Sequence, residues 1–564
     1  MDSRSDKKSV QIVVDVCARK GMRQVVISPG SRNAPLSISF NRDERVECFV
    51  IVDERSAAFF ALGLAQMSGE PVGLVCTSGT ALLNYAPAVC EAFYQRIPLV
   101  VLSADRPVEW IDQDDSQAIN QQNIFAGYVK KSFQLPAEVS CNDDAWYVNR
   151  CLNEAINLAM AGRKGPVHIN IPLREPLYRL SGDFAQNERK IECYEPDSRL
   201  SDRQLEELRE RASGCDKILI LCGFMPAAAT EKAAQIWQKT TENQQVVILA
   251  EPVSNVGCAT AITTIDRVLN TLTPVEIELF TPDLVISCGG ALVSKQIKTF
   301  LKNNPPREHW YVGKGESHID TLQRLTALIQ CEPTDFLEQL FPVTGGDAGF
   351  SERWNQKAAV AEKRHNRFLE GAPWSDLKAF EILTSALPAR CNLQLGNSSA
   401  VRYGHLFRQN NPSTIYSNRG TSGIDGSTST AVGAACNSQQ PTVFISGDIS
   451  FYYDSNALWN KYLSPNLRIV VMKNGGGSLF RFIPGPSEVE ELEEYFEAAQ
   501  DLNIAKMADL YGLPYYRANS ADELRELLPL FLAKHDRTPV LEICTPREEN
   551  DVVLKGYFRA LRGG

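Results

Sequence analysis

The sequence predicts an α/β protein made of three open, mostly parallel-sheet domains. Three observations predict it. Short apolar, β-rich runs alternate with longer amphipathic stretches from end to end, a pattern that neither all-helical nor all-β chains produce. The runs are bounded by Gly, Pro or Asp, the residues that punctuate chains. The length of 564 residues fits three domains of roughly 150–200 residues better than two.

In the first region, 1–185, strands are expected at 24–28, 72–76, 99–103 and 167–171, separated by helical patterns such as 55–67. That region closes after Pro172 and Pro176, in the polar tract 181–199. The second region, 200–345, repeats the pattern with strands at 217–221, 245–250, 284–288 and 309–312. A charged, helix-favouring stretch at 351–370 leads into the third region, 355–564, whose strands are expected at 392–395, 442–446, 468–472 and 540–543. No short-period repeat or low-complexity segment occurs, so solenoids and coiled coils drop out.

Composition narrows the function. Lys and Arg number 58 against 68 Asp and Glu, a formal charge of -10 without a long basic run, which argues against nucleic acid or an anionic membrane as partner. An anionic ligand must then be held by locally placed Arg and Lys. The 15 cysteines are scattered without a CxxC pair, as expected for buried thiols in a reducing compartment. The polar start MDSRSDKK, with no apolar leader after it and no stretch of 18 apolar residues, points to a cytoplasmic protein without membrane insertion. None of the 6 histidines has the HxxxH or HExxH spacing of a zinc hydrolase. His168 reads as a residue packed in or beside a strand.

Chemistry concentrates in the third region. Phe444-Ile445-Ser446-Gly447-Asp448 is a buried-type strand ending in Gly-Asp, and a second strand ends in Lys473-Asn474-Gly475-Gly476-Gly477. In open α/β sheets ligands sit at the carboxyl ends of strands, where glycines let the backbone approach phosphate. The Asp448 carboxylate, the Asn474 amide oxygen and a carbonyl at Gly476 form a hard-oxygen set suited to Mg2+ on a diphosphate. Each piece alone also reads as a turn, a cap or a loop. Together, at this spacing, they resemble the diphosphate-anchoring motif of the thiamine-diphosphate enzymes.

That resemblance implies a pyrimidine-binding first domain, a central domain and a diphosphate-binding third domain. It implies thiamine diphosphate as cofactor, with Mg2+, or Mn2+ as the alternative ion, on Asp448, Asn474 and Gly476. It also implies a catalytic glutamate at a strand-to-helix junction of the first domain, and Glu54 in Val52-Asp53-Glu54-Arg55-Ser56 fits. Gly423, Ile424, Ser450 and Leu479 are the further cofactor contacts it suggests, with Ile424 as the apolar wedge between the two rings.

Four segments, 27–36, the Glu54 segment, 102–107 and 417–426, resemble one branch of this family, and 288–295 extends the likeness into the middle domain. The branch decarboxylates 2-oxoglutarate and adds the resulting succinyl group in conjugate fashion to isochorismate, in menaquinone biosynthesis. Both substrates are dicarboxylates, and Arg32, Arg106, Lys295, Arg402 and Arg419 each lie in or beside a Gly-, Ser- or Pro-rich loop. Guanidinium groups suit bidentate carboxylate binding. Ser31, Gln117, Asn397 and Ser398 are polar substrate contacts on the same resemblance, or else caps and loop residues. Leu479, Phe480 and Ile483 form an apolar wall beside the cofactor, or pack in the core. Family architecture implies a site shared between two chains, hence at least a homodimer, and suggests a homotetramer. Lys473 departs from the asparagine common before Asn474 and adds a cation near the diphosphate. No strong GxGxxG occurs in the middle domain, so no flavin is expected. The rivals are another thiamine-diphosphate carboligase or decarboxylase acting on pyruvate or a branched oxo acid, and a non-catalytic nucleotide-binding regulatory protein.

Overall fold

The computed structural model describes residues 3–183, 186–196, 199–226, 231–343, 345–408, 414–482 and 485–563. Among these residues the apolar runs assemble into three open sheets. The first has the strand order Glu47–Val50, Gln24–Ile27, Val72–Cys76, Leu99–Asp105, Val167–Pro172, Ser132–Gln134, with parallel pairing throughout. In the second, also parallel, the order is Val246–Ala250, Ile218–Cys222, Leu284–Cys288, Glu308–Val312, Ala327–Ile329. The third runs Thr414–Tyr416, Asn392–Leu395, Thr442–Gly447, Leu467–Lys473, Val540–Cys544, Tyr515–Ala518. A short antiparallel ribbon pairs Arg4–Ser5 with Leu180–Ser181.

In the second sheet both faces are covered, which is why the central strand Ile218–Cys222 is apolar at every position. Ile218, Ile220 and Cys222 pack with Trp237, Trp310 and Phe336, whereas Leu219 and Leu221 pack with Phe280, Phe350 and Trp354. Side chains alternate across a strand, so two buried faces demand a continuous apolar run. The strands that carried no clear signal, Glu47–Val50, Ser132–Gln134, Ala327–Ile329, Thr414–Tyr416 and Tyr515–Ala518, are all short edge strands. Edges bury less and tolerate polar residues.

The chain divides into two compact units. One comprises Met1–Glu195 with Asn418–Gln439 and Tyr452–Leu467, and carries the first sheet; the other comprises Pro196–Ser417, Gln440–Phe451 and Arg468–Gly564, and carries the second and third sheets. In the first unit, helix Glu54–Ser68 starts on the Asp53 cap and ends at Gly69, which adopts the left-handed conformation at φ 69°. It lies against helix Ser427–Asn437 so closely that a Cβ on Gly63 would stand 2.1 Å from the Thr430 carbonyl oxygen. A Cβ on Gly433 would stand 2.1 Å from that of Phe60. Only glycine permits this backbone approach. No helix among the described residues is long and apolar enough to cross a membrane.

Candidate active site

In the first unit, the residues on either side of Glu54 are clamped. Asp53 Oδ1 accepts the Ser56 N–H at 2.8 Å, and its Oδ2 accepts Asn456 Nδ2 at 2.6 Å. Arg55 donates to the Tyr453 carbonyl at 2.8 Å and lies 4.8 Å above the Tyr453 ring. Glu54 itself is half-buried, and loss of water pushes its carboxyl up, Asp53 adding to the shift and a backbone N–H opposing it. A carboxyl so shifted holds its proton more firmly than a solvated one.

Also in this unit, Ser31, Arg32, Arg106 and Gln117 gather at the carboxyl ends of strands Gln24–Ile27, Val72–Cys76 and Leu99–Asp105. Ser31 is exposed, while Arg32 is buried, donating from Nη1 to the Leu173 carbonyl at 2.9 Å and pairing through Nη2 with Glu175 at 3.1 Å. Burial, then the neighbouring Arg106 charge, lower the Arg32 pKa, while Glu175, Asp115 and Asp105 oppose the shift. Arg106 is held by Asp115 at 3.0 Å and by the Ser116 carbonyl at 2.9 Å. Gln117 has φ 54°, and its backbone lies so near Gly79 that a Cβ there would come within 3.3 Å. A buried polar chain supports this end of the sheet: Gly79 N–H to Gln121 at 2.9 Å, Gln121 to Asn170 at 2.9 Å, and Asn170 to Asp105 at 2.7 Å. His168 lies inside strand Val167–Pro172, wholly buried, 2.7 Å from Ser103 Oγ. Burial pushes its pKa down to about 3, so it stays neutral.

The loop carrying Arg419, Gly423 and Ile424 belongs to the same unit and is pinned to helix Ala86–Gln95 by buried Glu91. The Glu91 carboxylate accepts the Gly420 N–H at 2.7 Å, the Thr421 N–H at 2.6 Å and the Thr421 hydroxyl at 2.5 Å. Gly426 then presses on the ring of Phe59, in the helix that Glu54 begins; a Cβ on it would meet the ring at 2.1 Å.

In the second unit, Asp448 and Asn474 close neighbouring strands of the third sheet. Asp448 Oδ1 accepts the Ile449 N–H at 2.7 Å and Oδ2 the Gly475 N–H at 2.9 Å, each oxygen keeping a lone pair. Burial pushes this carboxyl up to about 6 against the pull of those N–H groups. Gly475 and Gly476 have φ 80° and 150°, and a Cβ on Gly476 would come 2.8 Å from the Glu497 carbonyl, so the turn requires glycine. The Gly476 carbonyl accepts the Ser478 N–H at 2.8 Å and retains its second lone pair. Carboxylate, amide oxygen and carbonyl are the hard donors that a divalent cation on a diphosphate requires, so the residues fit that group. Among the described residues no cluster of three or more His, Cys, Asp or Glu is placed to hold a metal. Ser450 is buried in the turn of helix that Asp448 starts. The Lys473 ammonium lies 3.6 Å from buried Glu542.

A cavity of about 170 Å³ in this unit brings Lys295 and Arg402 together with Leu479, lined further by Asp266, Phe482 and Phe558. Lys295 opens a helix capped by Ser294, whose hydroxyl bonds Asp266, and buried Glu251 accepts the Val293 and Ser294 N–H groups at 2.8 and 2.7 Å. Arg402 donates to the Ser398 carbonyl at 2.8 Å. Ser398 has φ 69°, and neighbouring Asn397 is buried beyond strand Asn392–Leu395, its Oδ1 3.5 Å from Ser417 Oγ. Phe480 packs tilted against Phe496, ring centroids 5.8 Å apart. Ile483 lies outside the described residues.

Supporting carboxylates were not legible in the sequence. Glu91 and Glu251 act from buried positions, and Asp376, at the start of helix Asp376–Ala386, accepts Asn474 Nδ2 at 2.9 Å. Glu91 left a weak signal, a lone charge in the apolar stretch Ala86-Pro87-Ala88-Val89-Cys90-Glu91-Ala92-Phe93.

An enzyme that anchors thiamine pyrophosphate between strand ends is the class that this fold and these residues define. Residues 7–124 match the thiamine pyrophosphate enzyme N-terminal TPP binding domain, 193–395 its middle domain and 395–543 its C-terminal TPP binding domain. The chain is 45% identical over 574 aligned residues to 2-succinyl-5-enolpyruvyl-6-hydroxy-3-cyclohexene-1-carboxylate synthase of Porphyromonas gingivalis, covering 100% of this chain and 99% of that protein. It is 41% and 39% identical to proteins of the same name from Flavobacterium psychrophilum and Flavobacterium johnsoniae, each comparison spanning 98% of both chains. The chain belongs to the 2-succinyl-5-enolpyruvyl-6-hydroxy-3-cyclohexene-1-carboxylate synthase family of thiamine pyrophosphate enzymes.

Proposed function

We propose that this chain catalyses the thiamine-diphosphate-dependent decarboxylation of 2-oxoglutarate and the conjugate addition of the resulting succinyl group to isochorismate, giving 2-succinyl-5-enolpyruvyl-6-hydroxy-3-cyclohexene-1-carboxylate for menaquinone biosynthesis. Full-length kinship with the synthases of that name supports the reaction. The structural observation that carries the reading is the pair of neighbouring strand ends where Asp448 and Asn474 offer oxygen ligands across the Gly475–Gly476 turn.

Bound thiamine diphosphate supplies the carbon nucleophile and the electron sink that decarboxylation of a 2-oxo acid requires. The chain's own residues bind, orient and shield. Asp448, Asn474 and the Gly476 carbonyl hold Mg2+, with Mn2+ as an alternative, and Ser450 serves the diphosphate oxygens. Glu54 holds a proton against the pyrimidine ring, a role suited to a carboxyl whose pKa burial has raised. Gly423 and Ile424 support the cofactor's rings from their pinned loop, while Leu479 and Phe480 provide apolar cover. Arg32, Arg106, Lys295, Arg402 and Arg419 bind the carboxylates of the two substrates, and Ser31, Gln117, Asn397 and Ser398 add polar contacts. By family architecture we assign the working enzyme to a homodimer at least, and to a homotetramer. We also assign it to the cytoplasm.

Carbon dioxide release from a panel of 2-oxo acids tests the substrate assignment. Release from 2-oxoglutarate, coupled to isochorismate loss, is expected. Faster release from pyruvate or a branched oxo acid without isochorismate loss would contradict it.

A further inference from the structure

Asn474 serves a cation only through its amide oxygen, yet the amide's two ends are nearly equal in size, so something must choose which one faces the ion. Asp376 is placed to choose. It is 1% exposed and opens helix Asp376–Ala386, where its own N–H donates to Asn550 Oδ1 at 2.8 Å. Its Oδ1 accepts the Thr545 hydroxyl at 2.6 Å and its Oδ2 accepts Asn474 Nδ2 at 2.9 Å. Ser478 Oγ accepts from the same Nδ2 at 3.0 Å. Both amide hydrogens of Asn474 are thereby taken, and Oδ1 is the end left for a ligand. Flipping the amide would set its oxygen against the Asp376 carboxylate oxygen at the same separation and leave that buried acceptor unpaired, which buried polar groups resist strongly.

We infer that Asp376 is a positioning residue that fixes the rotation of the Asn474 amide so that Oδ1, not Nδ2, meets the divalent cation. The device also ties together three elements, since Thr545 follows strand Val540–Cys544, Asn474 follows strand Leu467–Lys473, and Asp376 starts a helix. The inference rests on the reading of Asn474 as a cation ligand and adds to it a residue that touches neither cofactor nor substrate. Partners that orient metal ligands typically set affinity by about 10–100-fold.

The test is Mn2+ affinity of the full-length protein with thiamine diphosphate present, followed by the free-ion paramagnetic resonance signal. Asp376→Ala should raise the half-saturating Mn2+ concentration about 10–100-fold. Thr545→Val, which removes the other partner of the carboxylate and spares its contact with Asn474, should change it by less than about threefold. Asp376→Asn, able to accept from Asn474 and donate to Thr545, should rescue binding. Should Asp376→Ala fail to fold, the exchange pair decides: Asn474→Asp alone sets two carboxylates face to face and weakens Mn2+ binding, and adding Asp376→Asn should restore it. Wild-type affinity in folded Asp376→Ala, equal losses in Asp376→Ala and Thr545→Val, or no recovery in the exchange pair would overturn the positioning role. Wild-type Mn2+ affinity in Asn474→Ala would overturn the ligand assignment itself, and the inference with it.

Discussion

Gly433→Ala tests how Glu54 is held. A Cβ at this position would stand 2.1 Å from the Phe60 carbonyl oxygen, 2.9 Å from its carbonyl carbon and 3.0 Å from its Cα, all backbone atoms that no rotamer change can move. An ordinary carbon–oxygen contact is about 3.3 Å or longer, so helices Ser427–Asn437 and Glu54–Ser68 would have to part by roughly 1 Å. Forced repacking of this kind costs about 1–3 kcal/mol. Alanine's better helix propensity returns at most about 1 kcal/mol. A net loss of about 1–2 kcal/mol should lower the midpoint of thermal unfolding by about 2–8 °C. Because Glu54 begins the displaced helix, turnover should fall further than stability does, since misplacing a reacting group by about 1 Å costs up to about 100-fold. Scanning calorimetry and steady-state kinetics read the two effects. Gly371→Ala is the control, because a Cβ there meets nothing within 4 Å and its φ is negative. Wild-type midpoint and turnover in Gly433→Ala would refute the close packing of these helices and its role in placing Glu54.

Glu54→Gln should lower turnover by about 100-fold or more, the usual scale for losing a proton-handling group, while cofactor binding by fluorescence quenching stays close to normal. Near-normal activity would remove Glu54 from its role. Asp454 is wholly buried against Ser429, accepting its N–H at 2.6 Å and its hydroxyl at 2.8 Å, and burial pushes its carboxyl from 3.8 up to about 7. The fold therefore prefers the protonated form: the associated stability is full below about pH 4 and is lost as pH rises through 7. Asp454→Asn should gain midpoint temperature relative to wild type between pH 5 and 8, and a constant difference across that range would contradict the assignment. Glu175, 65% exposed, is the ion-pair partner of Arg32 at 3.1 Å. With the Glu175 carboxylate in solvent the pair contributes about 1 kcal/mol, so Glu175→Gln should release Arg32 and lower KM for one of the dicarboxylates by up to about fivefold; an increase in both KM values would contradict that.

What could be read in the sequence depended on whether the signal was local. The central strands were legible because burial on both faces makes them predominantly apolar, at every position in Ile218–Cys222. Edge strands such as Glu47–Val50 and Tyr515–Ala518 were not, because residues such as Glu47 and Arg517 break the pattern. Asp448 and Asn474 stood out because a cation site between strand ends needs both its oxygens and its glycines within a few residues. The need for glycine at 63 and 433 was invisible, because it exists only once Phe60 and Thr430 of the facing helix are in place. Asp376 follows Ser375 at a helix start and reads as an ordinary first-turn acid; its purpose depends on Asn474, 98 residues away. Lys473, expected to add a cation near the diphosphate, has Glu542 as a neighbour at 3.6 Å, from a strand the local pattern did not tie to it.

The most direct measurement is product identification by mass spectrometry after incubating purified protein with thiamine diphosphate, Mg2+, 2-oxoglutarate and isochorismate, with each component omitted in turn. The account predicts one succinyl-bearing adduct of isochorismate, formed with loss of carbon dioxide only when all four are present. Formation of that adduct without thiamine diphosphate, or carbon dioxide release with isochorismate left intact, would contradict it.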